Sequence, residues 1–455
     1  MTRKAAISHA EAYFGSGAFR EDLARRIQMP TESQNPERGP ELVKYLDDEI
    51  KPAFKDLGFT VEIFSENDWP FLLASRDEDA TRPTVLGYGH GDVIRGLEDA
   101  WDAGLSPWRL TERDNRYYGR GVADNKGQHS INIAALRAVL ETRGKLGFNA
   151  KYLVEMGEEM GSPGLRRVVA SNRDKFKADV LIGSDGPRLS AERPTVFLGT
   201  RGCINFDLTI ESRSGGHHSG NWGGLLSDPA IQLSHAIASI TDANGKIRIP
   251  AWVPTSIPEN VKRALADCEI ESGGAGPTIE PHWGEPGLTL AEKVFAWSSF
   301  TVLAFEAGNP KTPMNAIPPR AWARCQLRFV VGVDVQNVLP ALRQHLDQNG
   351  FAMVKVNKTD DEIFQATRLD PDNFWVNRVV QSIRQTTNKE PAILPSLGGS
   401  LPNDIFSDVL GLPTVWVPHS YPACQQHAPN EHLPIPIARE GLALMTGIYW
   451  DLGIE

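Results

Sequence analysis

His90 and Asp92, Glu158 and Glu159, Asp185 and His427 are the residues of this chain best placed to do chemistry, because each lies just past a segment that reads as a strand. In open α/β sheets the working crevice lies outside the carboxyl ends of the strands, so side chains scattered along the sequence at strand ends converge in space. Asp124, in the loop before a helix at Gly127, can join them. Two imidazoles among several carboxylates are hard-to-borderline donors that suit Zn²⁺, with Mn²⁺ or Co²⁺ as alternatives. Three anions crowded into one crevice, Asp124, Glu159 and Asp185, call for two divalent cations with one carboxylate bridging them. Two such ions about 3.5–4 Å apart share a water, lower its pKa toward ~7 and polarise a carbonyl, which amide hydrolysis at neutral pH requires. Glu158 is then the natural general base, beside the metals yet free to take the water proton and pass it to a leaving amine.

Each of these residues has a plainer reading on its own. A His-x-Asp pair is common by chance, an aspartate in a glycine loop is usually a turn, and adjacent glutamates are usually a solvated face. Their joint placement at strand ends is what makes them one site.

The elements that must position them alternate in the manner of strands joined by crossover helices, so a mostly parallel sheet is expected. Candidate strands are Phe71–Ser75, Thr84–Tyr88, Lys151–Glu155 and Val180–Gly183, and candidate helices are Glu41–Leu57, with Pro40 at its start, and Gly127–Thr142. From about Cys203 the character changes. Cys203–Glu211 and Arg320–Val330 alternate like half-buried strands, separated by the helix-like Asp228–Thr241 and a Pro- and Gly-rich stretch that includes the glycine-rich loop from Ser272 to Pro277. Phe300–Phe305, a helix over Val335–Gln348 and a strand over Phe351–Val356 complete a small α+β unit ending near Asp361. A helix at Asn373–Thr386 and a buried strand at Pro413–Pro418 return to the first pattern. The expectation is a catalytic domain in two pieces, residues 1–202 and 362–455, split by an inserted domain of residues 203–361.

The bulk composition agrees with an ordinary folded chain. Its 455 residues exceed the roughly 100–200 of one domain, and 41% hydrophobic residues supply a core for each unit. A net charge of −10 without a Lys/Arg cluster argues against nucleic acid or an anionic membrane as partner. The opening MTRKAAISHAEAYF is amphipathic without a secretory apolar core, and no later run approaches the ~18 apolar residues of a membrane helix. Cys203, Cys268, Cys325 and Cys424 lie far apart without a C-x-x-C pair, which suits reduced, buried thiols and a cytoplasmic protein.

The runs GYGHGDV (Gly87–Val93), YGRGVADNKG (Tyr118–Gly127), EMGEEMGS (Glu155–Ser162), GSDGPR (Gly183–Arg188), GTRG (Gly199–Gly202), HHSGNWGG (His217–Gly224), NAIPPRAWARCQLR (Asn315–Arg328), GGSLP (Gly398–Pro402) and HAPNEH (His427–His432) resemble, in the family's order, the carnosinase, aminoacylase, bacterial glutamate carboxypeptidase and succinyl-diaminopimelate desuccinylase family of di-zinc metallopeptidases. The resemblance implies an α/β fold: a zinc-aminopeptidase-like catalytic domain with an inserted ferredoxin-like lid that also dimerises. It implies that His90 and Asp185 bind one zinc, that Glu159 and His427 bind the other, and that Asp124 bridges both. It further implies that Glu158 is the general base and that Asp92 holds His90 by its second ring nitrogen, as expected behind a metal-bound imidazole. Asn125 departs from the Asp or Met of many members, at a position that is not a ligand in the family. In relatives a lid histidine reaches into the partner subunit's site to bind the carbonyl oxygen; His218 aligns with it, and the adjacent His217 is its rival. Arg328 and Asn315 align with residues that hold the substrate carboxylate, a task suited to guanidinium's planar fork, although a strand arginine can also serve only its neighbouring strand. The Gly399–Ser400 turn resembles a loop whose backbone faces the substrate.

The metal centre is shared by dipeptidases, carboxypeptidases and N-acyl-amino-acid deacylases. The HHSGNWGG run and the long segment from Asp242 to Pro310, with GKIRIPAW at Gly245–Trp252, look more like the carnosinase-type dipeptidase branch. A dipeptidase is therefore the first expectation and an N-acyl-amino-acid amidohydrolase the second. A non-catalytic relative should have lost a ligand or the base, and none is missing. A two-metal phosphoesterase fits neither the motif order nor the Glu158–Glu159 pair.

Overall fold

The structure, a computed structural model, describes residues 1–270, 277–359 and 363–454. The glycine-rich stretch from Ser272 and the expected lid boundary at Asp361 lie outside those residues, apart from Pro277. The main strands are β1 (Thr60–Glu66), β2 (Trp69–Arg76), β3 (Thr84–His90), β4 (Asn149–Glu155), β5 (Val180–Gly183), β6 (Thr195–Phe197), β7 (Gly202–Glu211), β8 (Ser299–Ala307), β9 (Arg320–Phe329), β10 (Lys355–Lys358), β11 (Ala392–Leu394) and β12 (Thr414–Trp416). The chain divides into two compact units, the first formed by Met1–Gly199, Ala264–Pro277 and Leu369–Glu455, the second by Thr200–Arg263 and Thr278–Arg368.

In the first unit eight strands form one sheet in the order β1-β2-β4-β3-β5-β12-β6-β11. The central pairs β3–β4, β3–β5 and β5–β12 are parallel, whereas β1–β2 and β2–β4 are antiparallel. The central strands read as unbroken apolar runs because both faces are covered, and all four residues of β5 are buried. The helix Lys126–Arg143 is buried over most of its circumference and packs against the helices Arg3–Gly15 and Ile435–Leu452. Trp416, at the end of β12, is fully buried; it stacks on Phe197 with centroids 5.6 Å apart, meets Tyr88 edge-on, and donates its indole N–H to Asn403. Truncating such a side chain costs about 3–5 kcal/mol. The expected helix Glu41–Leu57 is present as Gly39–Tyr45 and Lys51–Asp56 joined by a π-helical turn at Leu46–Ile50.

The second unit is a four-stranded antiparallel sheet, β8-β9-β7-β10, with the helices Pro229–Ile240 and Val335–Gln348. Its chain order, strand-helix-strand-strand-helix-strand, is that of the ferredoxin-like unit. β7 and β9 bury alternate residues, and Leu233, Ala236, Ile240, Val338, Leu342 and Leu346 from the two helices share their core.

Three expectations are corrected here. The strand expected at Phe351–Val356 begins only at Lys355, because Gly350 takes a positive φ of 83° and Phe351 and Val354 form a turn that caps the preceding helix. The 203–361 insertion is not continuous: Ala264–Pro277 groups with the first unit, where Asp267 accepts hydrogen bonds from Arg193 through its carboxylate and its backbone carbonyl. Cys203 is half-buried, unlike the other three cysteines.

Candidate metal centre

The positions of the chemical side chains follow from how each strand of the first unit ends. His90 closes β3, and the chain turns there so that Asp92 comes back against its ring: His90 Nδ1 lies 3.0 Å from the Asp92 carbonyl oxygen and 3.3 Å from its carboxylate. The Asp92 carboxylate also accepts the backbone N–H groups of Glu158 and Glu159, each at 3.1 Å. Those glutamates occupy a single 3₁₀ turn, Glu158–Met160, between β4 and Gly161, whose φ of 85° favours glycine. Asp185 follows β5 and accepts the N–H of Gly186 at 2.6 Å.

Asp124 sits in the loop that leads into the helix Lys126–Arg143, and its peptide bond to Asn125 is cis. Gly127 lets the helix start press on this loop, since a Cβ there would fall 1.9 Å from the Val122 carbonyl oxygen. Asn125, although not a candidate ligand, is fully buried and donates to the Ser184 carbonyl, tying the Asp124 loop to the end of β5. His427 comes from a loop in which Gln425, His427 and Asn430 all have left-handed backbone, a conformation that costs non-glycine residues about 1–3 kcal/mol and recurs at functional sites.

These loops bring together two overlapping triplets, His90–Asp124–Asp185 and Asp124–Glu159–His427, in each of which the donor atoms lie within 4.8 Å of one another. Asp124 belongs to both. Its Oδ1 is 3.1 Å from His90 Nε2, and its Oδ2 is 3.4 Å from His427 Nε2. Asp185 Oδ2 lies 3.6 Å from His90 Nε2, Glu159 Oε2 lies 2.9 Å from His427 Nε2, and Glu158 Oε2 stands further off at 4.0 Å from His90 Nε2.

The electrostatics report an excess of buried negative charge. Burial, reinforced by neighbouring carboxylates, pushes Glu158 well above the usual carboxylate range, Glu159 up to about 7 and Asp185 up to about 6. Hydrogen bonds to Asp124 and Glu159 push His427 up to about 11. For His90 burial acts downward, but the carboxylates of Asp124, Asp185 and Asp92 prevail and raise it well above its ordinary value. Asp185 Oδ2 is buried without a hydrogen-bond partner. Two imidazoles and three carboxylates, one of them with an oxygen left without a hydrogen-bond partner, fit divalent cations.

The other residues singled out in the sequence are placed as follows. In the second unit His218 is exposed, and its Nδ1 accepts the Gly220 N–H at 3.1 Å, so the neutral ring carries its proton on Nε2. His217 is half-buried with its ring against Trp222. Asn315 precedes the short strand Ala316–Ile317, which pairs with His217–His218, and its carbonyl accepts the Ser219 N–H. Arg328, on β9, donates to Gln326. Arg201, which the sequence reading passed over, is buried in the same unit and lowered to about 10, first by burial and then by the like charge of Arg328. In the first unit Gly399 and Ser400 lie half-buried in the turn after β11. The sequence reading also passed over Glu431, which is buried four residues after the candidate ligand His427; its place inside HAPNEH does not by itself tell its role.

An α/β unit that gathers such donors at its strand ends can hold divalent cations, and its family is that of a metallopeptidase, an enzyme acting on peptide bonds. The chain belongs to the Peptidase family M20/M25/M40, whose family model matches residues 86–451. It is 31% identical over 333 residues to the Beta-Ala-His dipeptidase of Mus musculus, covering 68% of this chain and 67% of that protein. It is 25% identical over 464 residues to the Cys-Gly metallodipeptidase of Candida albicans, covering 94% and 93%. The solved structure of the dipeptidase Dug1p from Saccharomyces cerevisiae superposes with a TM-score of 0.82 at 22% identity, over 99% of this chain and 98% of that one, and so shares the fold. Among the described residues no helix is long and apolar enough to cross a membrane.

Proposed function

We propose that the chain is a metal-dependent dipeptidase that hydrolyses the amide bond of dipeptides bearing a free C-terminal carboxylate. The observation that carries the reading is the division of Asp124, one carboxylate oxygen facing His90 and the other facing His427. The printed activities of the mouse and Candida relatives, both dipeptidases, support the substrate class.

His90 and Asp185 would hold one cation, Glu159 and His427 a second, and Asp124 both, with zinc as first choice and manganese or cobalt as alternatives. Such a pair, when bound, acidifies water and polarises a carbonyl. Glu158 Oε2 takes the water proton and returns it to the leaving amine, a role supported by its place beside the candidate ligands at 4.0 Å from His90 Nε2. Asp92 fixes the His90 ring and the Glu158 backbone together. His218 supplies an N–H to the developing oxyanion from the partner subunit of a homodimer, a role supported by the family resemblance and by its Nε2 tautomer. Arg328, assisted by Asn315, takes the substrate carboxylate, and the Gly399–Ser400 backbone lines the approach; both assignments rest on the resemblance. The free cysteines suit a reducing, cytoplasmic setting.

A panel of dipeptides, their C-terminal amides and N-acyl amino acids, assayed with zinc-, manganese- and cobalt-loaded protein, tests the reading. Preference for free-acid dipeptides, lost in Arg328→Ala, supports it. Faster turnover of the N-acyl amino acids would make the chain an amidohydrolase of the same family instead.

A further inference from the structure

Behind Asp124 lies a second carboxylate that does not face the triplets. Glu431 is 1% exposed, and both its oxygens are fully engaged. Oε2 accepts from Arg120 Nη1 at 2.9 Å and from the Gly121 N–H at 3.0 Å; Oε1 accepts from the Ala123 N–H at 2.9 Å and the Asp124 N–H at 3.1 Å. The Gly119 N–H donates to the Glu431 backbone carbonyl at 3.2 Å, and the next residues, His432–Pro434, pair with Arg116–Tyr118. One side chain therefore receives three backbone donors of the loop that ends in Asp124, those of Gly121, Ala123 and Asp124, while its own backbone continues the loop that carries His427.

From this we infer that Glu431 is a positioning residue: it sets the height and tilt of Asp124 between the two triplets and couples that setting to the His427 loop. The inference rests on Asp124 being a ligand shared by two cations. The chemistry of the clamp favours it over a packing role. Placing an anion this deep beside another anion costs far more than an apolar side chain of the same size. What the carboxylate supplies is acceptor capacity, two oxygens for donors that point inward from an irregular loop and would be orphaned without it. Arg120, also 1% exposed and lying over the Trp101 ring, balances the Glu431 charge, which leaves the charge of Asp124 for cations. Groups standing behind metal ligands in this way typically alter metal affinity by about 10–100-fold.

The test is Zn²⁺ binding to chelator-stripped protein, read by competition with a chromophoric chelator, with the unfolding temperature measured on the same samples. Glu431→Gln should weaken Zn²⁺ binding by about 10–100-fold. That variant also strands Arg120, so Arg120→Met/Glu431→Gln is the informative partner: with no uncompensated charge it should regain unfolding temperature without regaining Zn²⁺ affinity. A merely structural role makes the two recover together, and parent affinity in the folded double variant overturns the inference. Should the double variant not fold, Glu431→Asp decides, since it keeps the charge opposite Arg120 but withdraws the oxygens by one methylene; parent affinity there has the same meaning. Asp124→Asn separates the layers. If it binds Zn²⁺ like the parent, the metal reading is wrong and this inference falls with it; if it loses Zn²⁺ while the Glu431 variants do not, only the inference fails.

Discussion

Asp92 Oδ1 accepts the backbone N–H of Glu158 at 3.1 Å, so the residue that orients the His90 ring also suspends the proposed base. A sequence comparison alone gives Asp92 only the first of these duties. The second oxygen takes the Glu159 N–H, which places a ligand and the base on one support. Asp92→Asn turns one acceptor into a donor facing an N–H group. It is expected to weaken Zn²⁺ binding about 10–100-fold and, beyond that, to lower turnover at saturating metal. Chelator competition and kcat at excess Zn²⁺ separate the two effects; unchanged kcat at saturation would confine Asp92 to the imidazole.

Glu158 stands further from the imidazoles than the ligand carboxylates do, and Glu158→Gln should keep the metals while turnover falls by about 10²–10⁴-fold. Metal content and kcat belong on the same preparation. A variant that loses metal would make Glu158 a ligand and leave the base to be found elsewhere.

The pH dependence of the metal-free protein has a definite sign. Glu159 rises from 4.5 to about 7 and Asp185 from 3.8 to about 6, so each contributes stability that is present below its unfolded value and lost as pH rises through the folded one. His427, raised from 6.5 to about 11, loses its contribution in the same direction but at higher pH. Asp124, lowered, acts oppositely, yet only below its ordinary value of 3.8. Between pH 4.5 and 8 the contribution of Glu159 to the stability of metal-free protein should therefore fall, read as the difference in unfolding temperature between the parent and Glu159→Gln. The difference is the readout because the buried rings of His129 and His419, lowered by burial, act in the opposite direction. Zn²⁺ requires deprotonated ligands, so its stabilising shift should be larger at pH 8 than at pH 5. Equal shifts at both pH values would contradict this charge balance.

If His218 acts across a dimer, His218→Ala should lose about 10²–10³-fold in turnover. Mixing it with Glu158→Gln and allowing subunit exchange should restore activity, because one site of the mixed dimer then carries both groups. A verified mixed dimer without rescue would refute the trans arrangement, and rescue by His217→Ala instead would exchange the two histidines.

Much of the fold was legible in the sequence, and the reasons are physical. Strands such as Val180–Gly183 read as short unbroken apolar runs and helices such as Val335–Gln348 as a helical periodicity, and their ends fall where Gly or a capping side chain interrupts the pattern. Lys355–Lys358 was misplaced because the apolar Phe351 and Val354 serve a turn below the helix rather than a strand face. The grouping of the segment from Ala264 with the first unit, where Arg193 meets Asp267, joins residues far apart in sequence and without periodic signal. At the site, ligand types at strand ends could be read because strand termini are themselves readable. The supports could not: the roles of Glu431, Asn125 and the Asp92 oxygens are set by backbone N–H and carbonyl groups, which leave no mark on residue type.

The central claim is a pair of cations joined by Asp124 and used for dipeptide hydrolysis, and one titration addresses it directly. Chelator-stripped protein receives Zn²⁺ in steps while hydrolysis of a free-acid dipeptide without a thiol or imidazole side chain is followed. Activity should be absent without metal, climb to a plateau at two equivalents per chain, and stay absent throughout for Asp124→Ala. A plateau at one equivalent, or full activity in Asp124→Ala, would contradict the bridged pair.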